Sequence, residues 1–197
     1  MRPKDIEKEK LVLHTAMELV VRDGVQGFSM SKLAKACGLS VGTLYVYYKD
    51  KDELITAVGE AVSLKFFDAV TRNFSADMSF KEGLWKQWEN RIAFARDYPV
   101  EIRCYEVLRH SPYVERILQS DTLQQFKAIM GRFFEKSITN KEIEALPLDV
   151  YWSIAYGPLY TLLKFQQEGK SMGGRKFALT DQMIQHAFKA VIKALKP

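Results

Sequence analysis

Apolar residues recur at helical spacing along most of this chain, and no segment keeps the strict alternation of polar and apolar residues that marks a half-buried strand. The first run of this kind predicts a helix from about Lys4 to Arg22, which ends before Gly24. Later runs keep the same spacing. The pattern therefore predicts an all-α fold, in which each helix buries one apolar face.

Short polar residues mark the starts of the next two helices. Ser29 is placed to cap a second helix that ends at Cys37, and Ser40 is placed to cap a third over 41–47. Gly38 lies between them and can adopt the left-handed conformation that ends a helix. Two short helices joined by so tight a turn are typical of a helix-turn-helix.

A capping-box pair, Asp50 with Glu53, predicts a long fourth helix over about 51–74. These elements divide the chain into two predicted domains. Residues 1–50 form a helix-turn-helix domain of three helices, and residues 51–197 form a larger helical domain. The fourth helix links the two.

Composition narrows the class of protein. A chain of 197 residues with 47% hydrophobic content can bury a core. Its two cysteines argue against a disulfide scaffold and favour a reducing compartment. The charged N-terminus lacks the apolar core of a signal peptide, and the most apolar window, 150–163, is too short to span a bilayer. We therefore expect a cytoplasmic protein without a membrane partner.

Positive charge is concentrated near the start of the chain. Of the net charge of +5, residues 1–51 contribute +3, from nine Lys and Arg against six Asp and Glu. The remaining residues contribute +2, from 20 basic against 18 acidic side chains. A local basic excess attracts a polyanion such as DNA, although scattered surface lysines also produce one by chance.

The sequence offers no signature of an enzyme. Its three histidines, His14, His110 and His186, are far apart and have no metal-ligand spacing. A serine-nucleophile elbow, a phosphate-binding loop and a zinc-protease motif are all missing. We expect no catalytic residue, no metal and no cofactor.

The third helix presents a face that suits DNA. Packing of the small helix-turn-helix core leaves the following residues for the opposite face: Ser40, Gly42, Thr43, Tyr45, Val46 and Tyr47. Gly42 has no side chain, so a DNA backbone can approach the start of the helix, where N–H groups and the helix dipole favour phosphate. Hydroxyl groups and the nearby Lys51 can add phosphate contacts.

Four short segments resemble the DNA-binding signature of the TetR/AcrR family of transcriptional regulators. They are Gly38-Leu39-Ser40, Gly42-Thr43-Leu44-Tyr45, Tyr47-Tyr48 and Lys51-Asp52-Glu53-Leu54. With the first helix they cover about the first quarter of the chain, and their combination is specific. Tyr48 departs from the family, which more often has Phe there, so its hydroxyl either finds a partner or touches DNA.

The resemblance implies that the third helix enters the major groove of double-stranded operator DNA. The residues expected at or near DNA are Ser31, Lys32, Ser40, Val41, Gly42, Thr43, Tyr45, Tyr47 and Lys51. Several keep a structural interpretation as well: Tyr45 can fill the joint between helices, Thr43 can cap or pack, and Lys51 can be a solvated charge. The small base-reading side chains leave room for DNA shape to contribute.

The resemblance also implies a homodimer formed by the last two helices, about 148–168 and 181–195. The residues expected at that interface are Tyr160, Leu163, Ile184, Phe188, Val191 and Ile192. An amphipathic helix that packs on its own core has the same pattern, so both interpretations stay open.

The centre of the chain is rich in aromatic residues, which suit either an ordinary core or a pocket for a planar or lipophilic ligand. The residues expected to line such a pocket are Trp85, Trp88, Ile92, Tyr105, Leu108, Phe126, Met130, Phe133, Trp152, Ala155, Tyr156 and Leu159. Arg91 lies on the same stretch and either faces inward or is solvated.

We therefore expect a ligand-responsive regulator, a repressor that leaves a palindromic operator when a small effector of unknown identity binds the larger domain. A family relative that acts through a protein partner, or as an activator, is the alternative. A DNA-binding assay separates these interpretations.

Overall fold

The computed structural model describes residues 5–197, so Lys4, the predicted start of the first helix, lies outside the described residues. The helices are α1 Ile6–Gly27, α2 Met30–Cys37, α3 Val41–Tyr47, α4 Lys51–Val70, α5 Phe80–Asp97, α6 Pro99–Arg109, α7 Val114–Leu118, α8 Asp121–Thr139, α9 Leu148–Glu168 and α10 Asp181–Leu195. A 3₁₀ turn at Met172–Gly174 separates the last two. Residues 5–197 contain no strand beyond one isolated bridge, which confirms the predicted all-α fold.

The chain folds into two compact units. The first contains residues up to 68 together with 97–125, and the second contains 69–96 together with 126–197. The predicted boundary after residue 50 divides the chain differently, because α6 and α7 belong to the same unit as α1–α3. Proximity in space, and not only order along the chain, decides which helices share a core.

The first unit has a continuous apolar core. Its buried members come from all of its principal helices: Val12, Ala16, Leu19, Val20, Leu33, Leu44, Leu54, Ile55, Val58, Cys104, Leu108 and Ile117. Burial raises the pKa of the Cys104 thiol to about 12, so this cysteine stays protonated.

Close contacts join α4 to α6 and α7 inside the first unit. Lys65 of α4 pairs with the buried Glu101 of α6, and its ammonium lies 3.9 Å from the centre of the Tyr98 ring. Ile117 of α7 packs directly on Gly59, where an added β-carbon would lie 2.2 Å from Cδ1 of Ile117. Only glycine allows this close approach.

The second unit is built around aromatic side chains. Trp88, Phe133 and Tyr156 have no exposed surface, and the indole N–H of Trp88 donates to the carbonyl of Ala155 at 2.9 Å. Phe188 of α10 meets the rings of both Trp85 and Trp88 edge to face, at 4.8 and 5.3 Å between ring centres. These contacts join α5, α9 and α10 into one core.

Two predicted helix ends need adjustment. The first helix continues in hydrogen bonding to Gly27, although Gly24 has a positive φ of 68° and kinks it where the helix was expected to stop. The fourth helix ends at Val70 and not at Phe74. The Val70 carbonyl accepts hydrogen bonds from the side-chain amides of Gln87 and Asn90, at 2.8 and 2.9 Å, which replace the helical continuation.

Within the described part of the chain, every helix is too short or too polar to cross a membrane.

Candidate DNA-binding surface

Local capping builds the turn between α2 and α3. The Ser29 hydroxyl accepts from the Lys32 N–H at 3.3 Å and starts α2. Gly38 ends it in the left-handed conformation, with φ 65° and ψ 29°. The N–H of Leu39 then donates to the Ala34 carbonyl at 2.9 Å, which closes the turn. The predicted bounds of α2, and the conformation of Gly38, are confirmed.

Ser40 starts α3 in the same way. Its hydroxyl accepts from the Thr43 N–H at 3.1 Å and lies 2.8 Å from the Thr43 hydroxyl. Thr43 is therefore part of the cap, which agrees with the structural role considered for it. Its side chain is half-buried and still reaches the surface. The two hydroxyls fix the orientation at which α3 leaves the turn.

The exposed face of α3 carries Gly42, with Tyr45 and Val46 one turn later. Tyr45 is 52% exposed and Val46 is 60% exposed. Leu44, on the opposite face, is fully buried. A large exposed tyrosine fills no joint between helices, so the surface interpretation of Tyr45 fits the structure better than the packing one.

The expectation that Tyr47 lies on the exposed face is wrong, because its side chain is only 8% exposed. Its hydroxyl accepts from the backbone N–H of Asp5 at 3.2 Å, where α1 begins. The ring of Tyr47 therefore belongs to the core, and its hydroxyl joins the end of α3 to the start of α1. Its contact with phosphate stays a prediction.

Tyr48, the departure from the family pattern, also belongs to the core. The side chain is 5% exposed, and its hydroxyl donates to the Glu9 carboxylate at 3.5 Å. Burial and the Glu9 charge raise the pKa of Tyr48, which keeps the hydroxyl protonated as a donor. Of the two roles left open for Tyr48, the structure favours the one in which the hydroxyl finds a partner.

Lys51 is held in place before any ligand binds. Its ammonium donates to the Val25 carbonyl at 2.9 Å and lies 6.0 Å from the centre of the Phe28 ring. The side chain is half-buried, so it is not a freely solvated lysine. An ammonium has three donors, and a fixed one loses less entropy when it binds an anion.

Lys32 belongs to a small ionic cluster at the start of α2. Its ammonium donates to Asp23 at 3.3 Å and to the Gly27 carbonyl at 2.8 Å, while Arg22 donates to Asp23 at 2.8 Å. Hydrogen bonds from Arg22 and Lys32 lower the pKa of Asp23 to about 2. The cluster holds two cations against one carboxylate and is net positive.

Two further predicted contacts, Ser31 and Val41, lie on α2 and α3. Ser31 is exposed on α2, and Val41 is half-buried in the first turn of α3. Lys35 and Lys49 are exposed as well, on α2 and just after α3, and were not among the predicted contacts. Helical spacing was the signal for Lys35, because it lies one turn beyond Ser31 on the same helix.

The predicted pocket residues do not all share one unit. Most belong to the second unit, where Trp88, Phe133, Ala155, Tyr156 and Leu159 have no exposed surface. Leu108 is buried in the core of the first unit. The first unit also contains Tyr105, which is 45% exposed and stacks on Phe66 at 6.5 Å. The full locations in the second unit are Trp85, Trp88 and Ile92 on α5, Phe126, Met130 and Phe133 on α8, and Trp152, Ala155, Tyr156 and Leu159 on α9.

Arg91 is buried inside the second unit, with 1% of its surface exposed, so the solvated interpretation is wrong. Its guanidinium lies 4.3 Å from the centre of the Tyr156 ring and 5.8 Å from that of Trp152. Nε donates to the Tyr160 hydroxyl at 3.0 Å, and Nη1 donates to the carbonyl and side-chain oxygens of Gln87. A cation is thus built into the aromatic core.

The predicted dimer residues fall into two groups. Ile184, Phe188 and Val191 are 7%, 4% and 3% exposed in a single chain, so they pack into their own unit. Tyr160 is 38% exposed. Leu163 and Ile192 are half-buried. In α10, the buried Ile184, Phe188 and Val191 therefore leave only its outer surface for the predicted pairing with a second copy, which stays a prediction.

An open, mainly apolar groove runs along the outer surfaces of α9 and α10. Its lining residues come from both helices: Pro158, Thr161, Leu162, Met183, His186 and Ala187. Met183 is 41% exposed, and Tyr160 lies beside Thr161 on α9. This groove was not predicted residue by residue, although it belongs to the two helices that were expected to pair.

The stretch from α1 to the start of α4 is similar to a known family of proteins. Residues 12–58 match the sequence model of the family described as "Bacterial regulatory proteins, tetR family". The match contains α2, the turn and α3, together with most of α1 and the start of α4.

Relatives of known sequence are transcriptional regulators. An uncharacterized HTH-type transcriptional regulator of Haemophilus influenzae is 29% identical over 111 residues, which are 55% of this chain and 59% of that protein. The Bacillus subtilis "Fatty acid metabolism regulator protein" is 23% identical over 144 residues, 73% of this chain and 72% of that protein. The chain thus spans less than two thirds of the length of the first of these relatives.

A solved structure resembles nearly the whole chain. A TetR family transcription regulator from Marinobacter aquaeolei superposes with a TM-score of 0.79 at 27% sequence identity. The superposition covers 99% of this chain and 98% of that one.

Proposed function

The chain belongs to the TetR family of bacterial transcriptional regulators, and from this premise we propose that it binds a palindromic operator as a homodimer and represses transcription until a small effector releases it. The effector belongs to the lipophilic or aromatic class and binds the second unit. The main observation that supports this proposal is the exposed face of α3.

That face is built for insertion into a groove. Caps at both ends of the α2–α3 turn fix the start of α3. The large exposed side chains of α3 are Tyr45 and Val46. Gly42 leaves room beside them, since an added β-carbon there would meet only the Ser40 hydroxyl, at 3.8 Å. The major groove is wide enough to admit such a helix.

Basic side chains lie on the elements before and after α3. Lys35 and Lys49 are exposed, Lys51 is positioned by the Val25 carbonyl, and Lys32 belongs to the net positive cluster around Asp23. These cations supply the sequence-independent attraction to phosphate that positions a protein on DNA. Ser31, on the exposed side of α2, is the proposed additional phosphate contact.

The outer groove of α9 and α10 supports the homodimer. The groove is mainly apolar, and the exposed Met183 is one of its lining residues. A second copy can cover such a surface symmetrically. Two copies are needed because a palindrome places its half-sites about 34–36 Å apart, one helical turn of DNA.

The second unit supports the effector class. Aromatic side chains dominate its core, and the guanidinium of Arg91 lies among them as a polar group that can orient a ligand. A lipophilic ligand also agrees with the likeness to the fatty acid metabolism regulator of Bacillus subtilis.

Release of the operator follows as a shift between two conformations. The α4 helix contains residues of both units, because the division falls at residue 68. A ligand that favours a different position of α4 lowers the operator affinity by about 5–150-fold for a coupling of about 1–3 kcal/mol.

Selection of genomic DNA fragments by the purified protein, at two salt concentrations, tests the proposal. The expected result is one enriched short palindrome whose affinity falls steeply with salt. Lipophilic and aromatic compounds are then added to the complex, and one class should release the DNA. Salt-sensitive binding without an enriched sequence would contradict operator binding and favour a protein partner.

A further inference from the structure

The exposed face of α3 has a chemical composition that limits how it can read DNA. The helix sequence is Val-Gly-Thr-Leu-Tyr-Val-Tyr, without a charged or amide side chain. The pairings that identify guanine and adenine in the major groove use the forked donors of Arg or the amide of Asn and Gln. On α3, this route to base recognition does not exist.

The small hydroxyls of α3 are already engaged in its fold. Ser40 accepts from the Thr43 N–H, and the two hydroxyl oxygens lie 2.8 Å apart. The Tyr47 hydroxyl accepts from the backbone of Asp5 at 3.2 Å. These groups can still touch phosphate. The apolar Val46, however, is 60% exposed, more than the neighbouring Tyr45 at 52%.

A valine exposed to this extent has one apolar counterpart in the major groove, the 5-methyl group of thymine. We infer that Val46 contacts the methyl group of a thymine in each operator half-site and so determines the base at that position. Tyr45, the preceding residue, is exposed as well and enlarges the apolar surface of this face. This inference rests on the proposed function, because it requires α3 to lie in the groove.

The size of the effect follows from one buried methyl group. Removing it costs about 0.8 kcal/mol, which corresponds to about 4-fold in affinity for one half-site and about 15-fold for both. Deoxyuridine differs from thymidine only by this methyl group, so it removes the contact while base pairing is retained.

The test uses the palindrome that the protein itself selects. Each thymine pair, one per half-site, is replaced in turn by deoxyuridine, and the affinity of the full-length protein is measured at constant salt. One symmetric pair should cost about 15-fold with the wild type. The Val46→Ala variant should bind the thymine and deoxyuridine duplexes about equally. Because Val46 is exposed, this variant should unfold at the wild-type temperature, which a thermal scan checks.

A second variant separates this contact from a general effect of surface apolarity. Leu64 is also an exposed apolar residue of the first unit, at 48%, and lies on α4. Leu64→Ala should keep the full dependence on the methyl group. An operator that tolerates deoxyuridine everywhere, or a Val46→Ala variant as sensitive as the wild type, would overturn the inference while operator binding stands. Failure to select any sequence would contradict the proposed function itself.

Discussion

The α2–α3 turn and the aromatic core of the second unit are stabilised by interactions of different range. In the first, the hydrogen bonds that shape α2 and α3 join residues three positions apart, such as Ser29 with Lys32 and Ser40 with Thr43. In the second, the polar contacts of the core join distant residues: Trp88 donates to Ala155 across 67 positions, and Arg91 donates to Tyr160 across 69.

This difference separates what is specified locally from what is specified by packing. The cap at Ser40 and the buried Leu44 hold α3 in one orientation, which suits a surface that has to fit a rigid duplex. A core of aromatic rings and one buried cation depends on every helix around it. The proposed effector would act on this core by favouring a different packing of its helices.

The largest expected effect is a loss of stability in the second unit. Trp88→Ala removes a fully buried indole together with its hydrogen bond to Ala155, and should lower the free energy of unfolding by about 3–5 kcal/mol. Urea denaturation followed by circular dichroism measures the change. Met172→Ala, at a position that is 80% exposed, is the control and should leave the stability unchanged. A loss as small as that of the control would mean that this core is loosely packed.

A pair of glycine substitutions sharpens the comparison. Gly38→Ala places a β-carbon on a residue with φ 65° and should cost about 1–2 kcal/mol of stability. Gly131→Ala lies inside α8, where an added β-carbon meets nothing within 4 Å, and should raise the stability by about 0.5–1 kcal/mol. Both are measured by thermal unfolding. Equal effects of the same sign would show that the α2–α3 turn does not depend on the left-handed residue.

The charge of Lys51 in the first unit should contribute to the salt dependence of DNA binding. Lys51→Met removes the ammonium that the Val25 carbonyl positions, and should reduce the slope of log affinity against log salt by about 0.9 for each copy on DNA. Titration of operator DNA at several salt concentrations gives the slope. Lys189→Met, an exposed lysine of α10, should leave it unchanged. An unchanged slope in Lys51→Met would remove Lys51 from the phosphate contacts.

The smallest expected effect is a pH dependence at the start of α2. Pairing with Arg22 and Lys32 lowers the pKa of Asp23 to about 2, below the value of about 4 of an unfolded aspartate. This pairing stabilises the folded chain above about pH 4, and the contribution is lost as the pH falls toward 2.

Asp23→Asn should therefore show a smaller loss of stability between about pH 5 and about pH 3 than the wild type, as measured by urea denaturation. The difference should be slight, because Arg22 and Lys32 are exposed to solvent. Identical pH profiles would show that the ion pairs do not form in solution.

The difference between local and long-range contacts also explains which features could be predicted from the sequence. Ser29, Gly38 and Ser40 predicted α2, the turn and the start of α3 because each acts on its immediate neighbours. The end of α4 was misplaced because amides from α5 cap it at Val70. The residues next to Val70 in the sequence do not predict this contact, because Gln87 and Asn90 lie 17 and 20 positions away.

The same cause explains the side-chain positions that the sequence left open or placed wrongly. Tyr47 has the spacing of a surface residue, but its burial depends on the start of α1, 42 positions away. Arg91 looks like a solvated base in the sequence and is buried because aromatic rings of α9 surround it. Ile184, Phe188 and Val191 form an apolar stripe, and the stripe alone does not show that their own unit covers them.

The central claim is that the exposed face of α3 enters the major groove, and a bulky residue at Gly42 tests it most directly. Gly42 is exposed and a β-carbon there meets no close neighbour, so Gly42→Leu should fold like the wild type. Its affinity for the selected palindrome should fall by at least about tenfold, the cost of about one lost base-pair contact. Wild-type affinity in a folded Gly42→Leu variant would contradict the account.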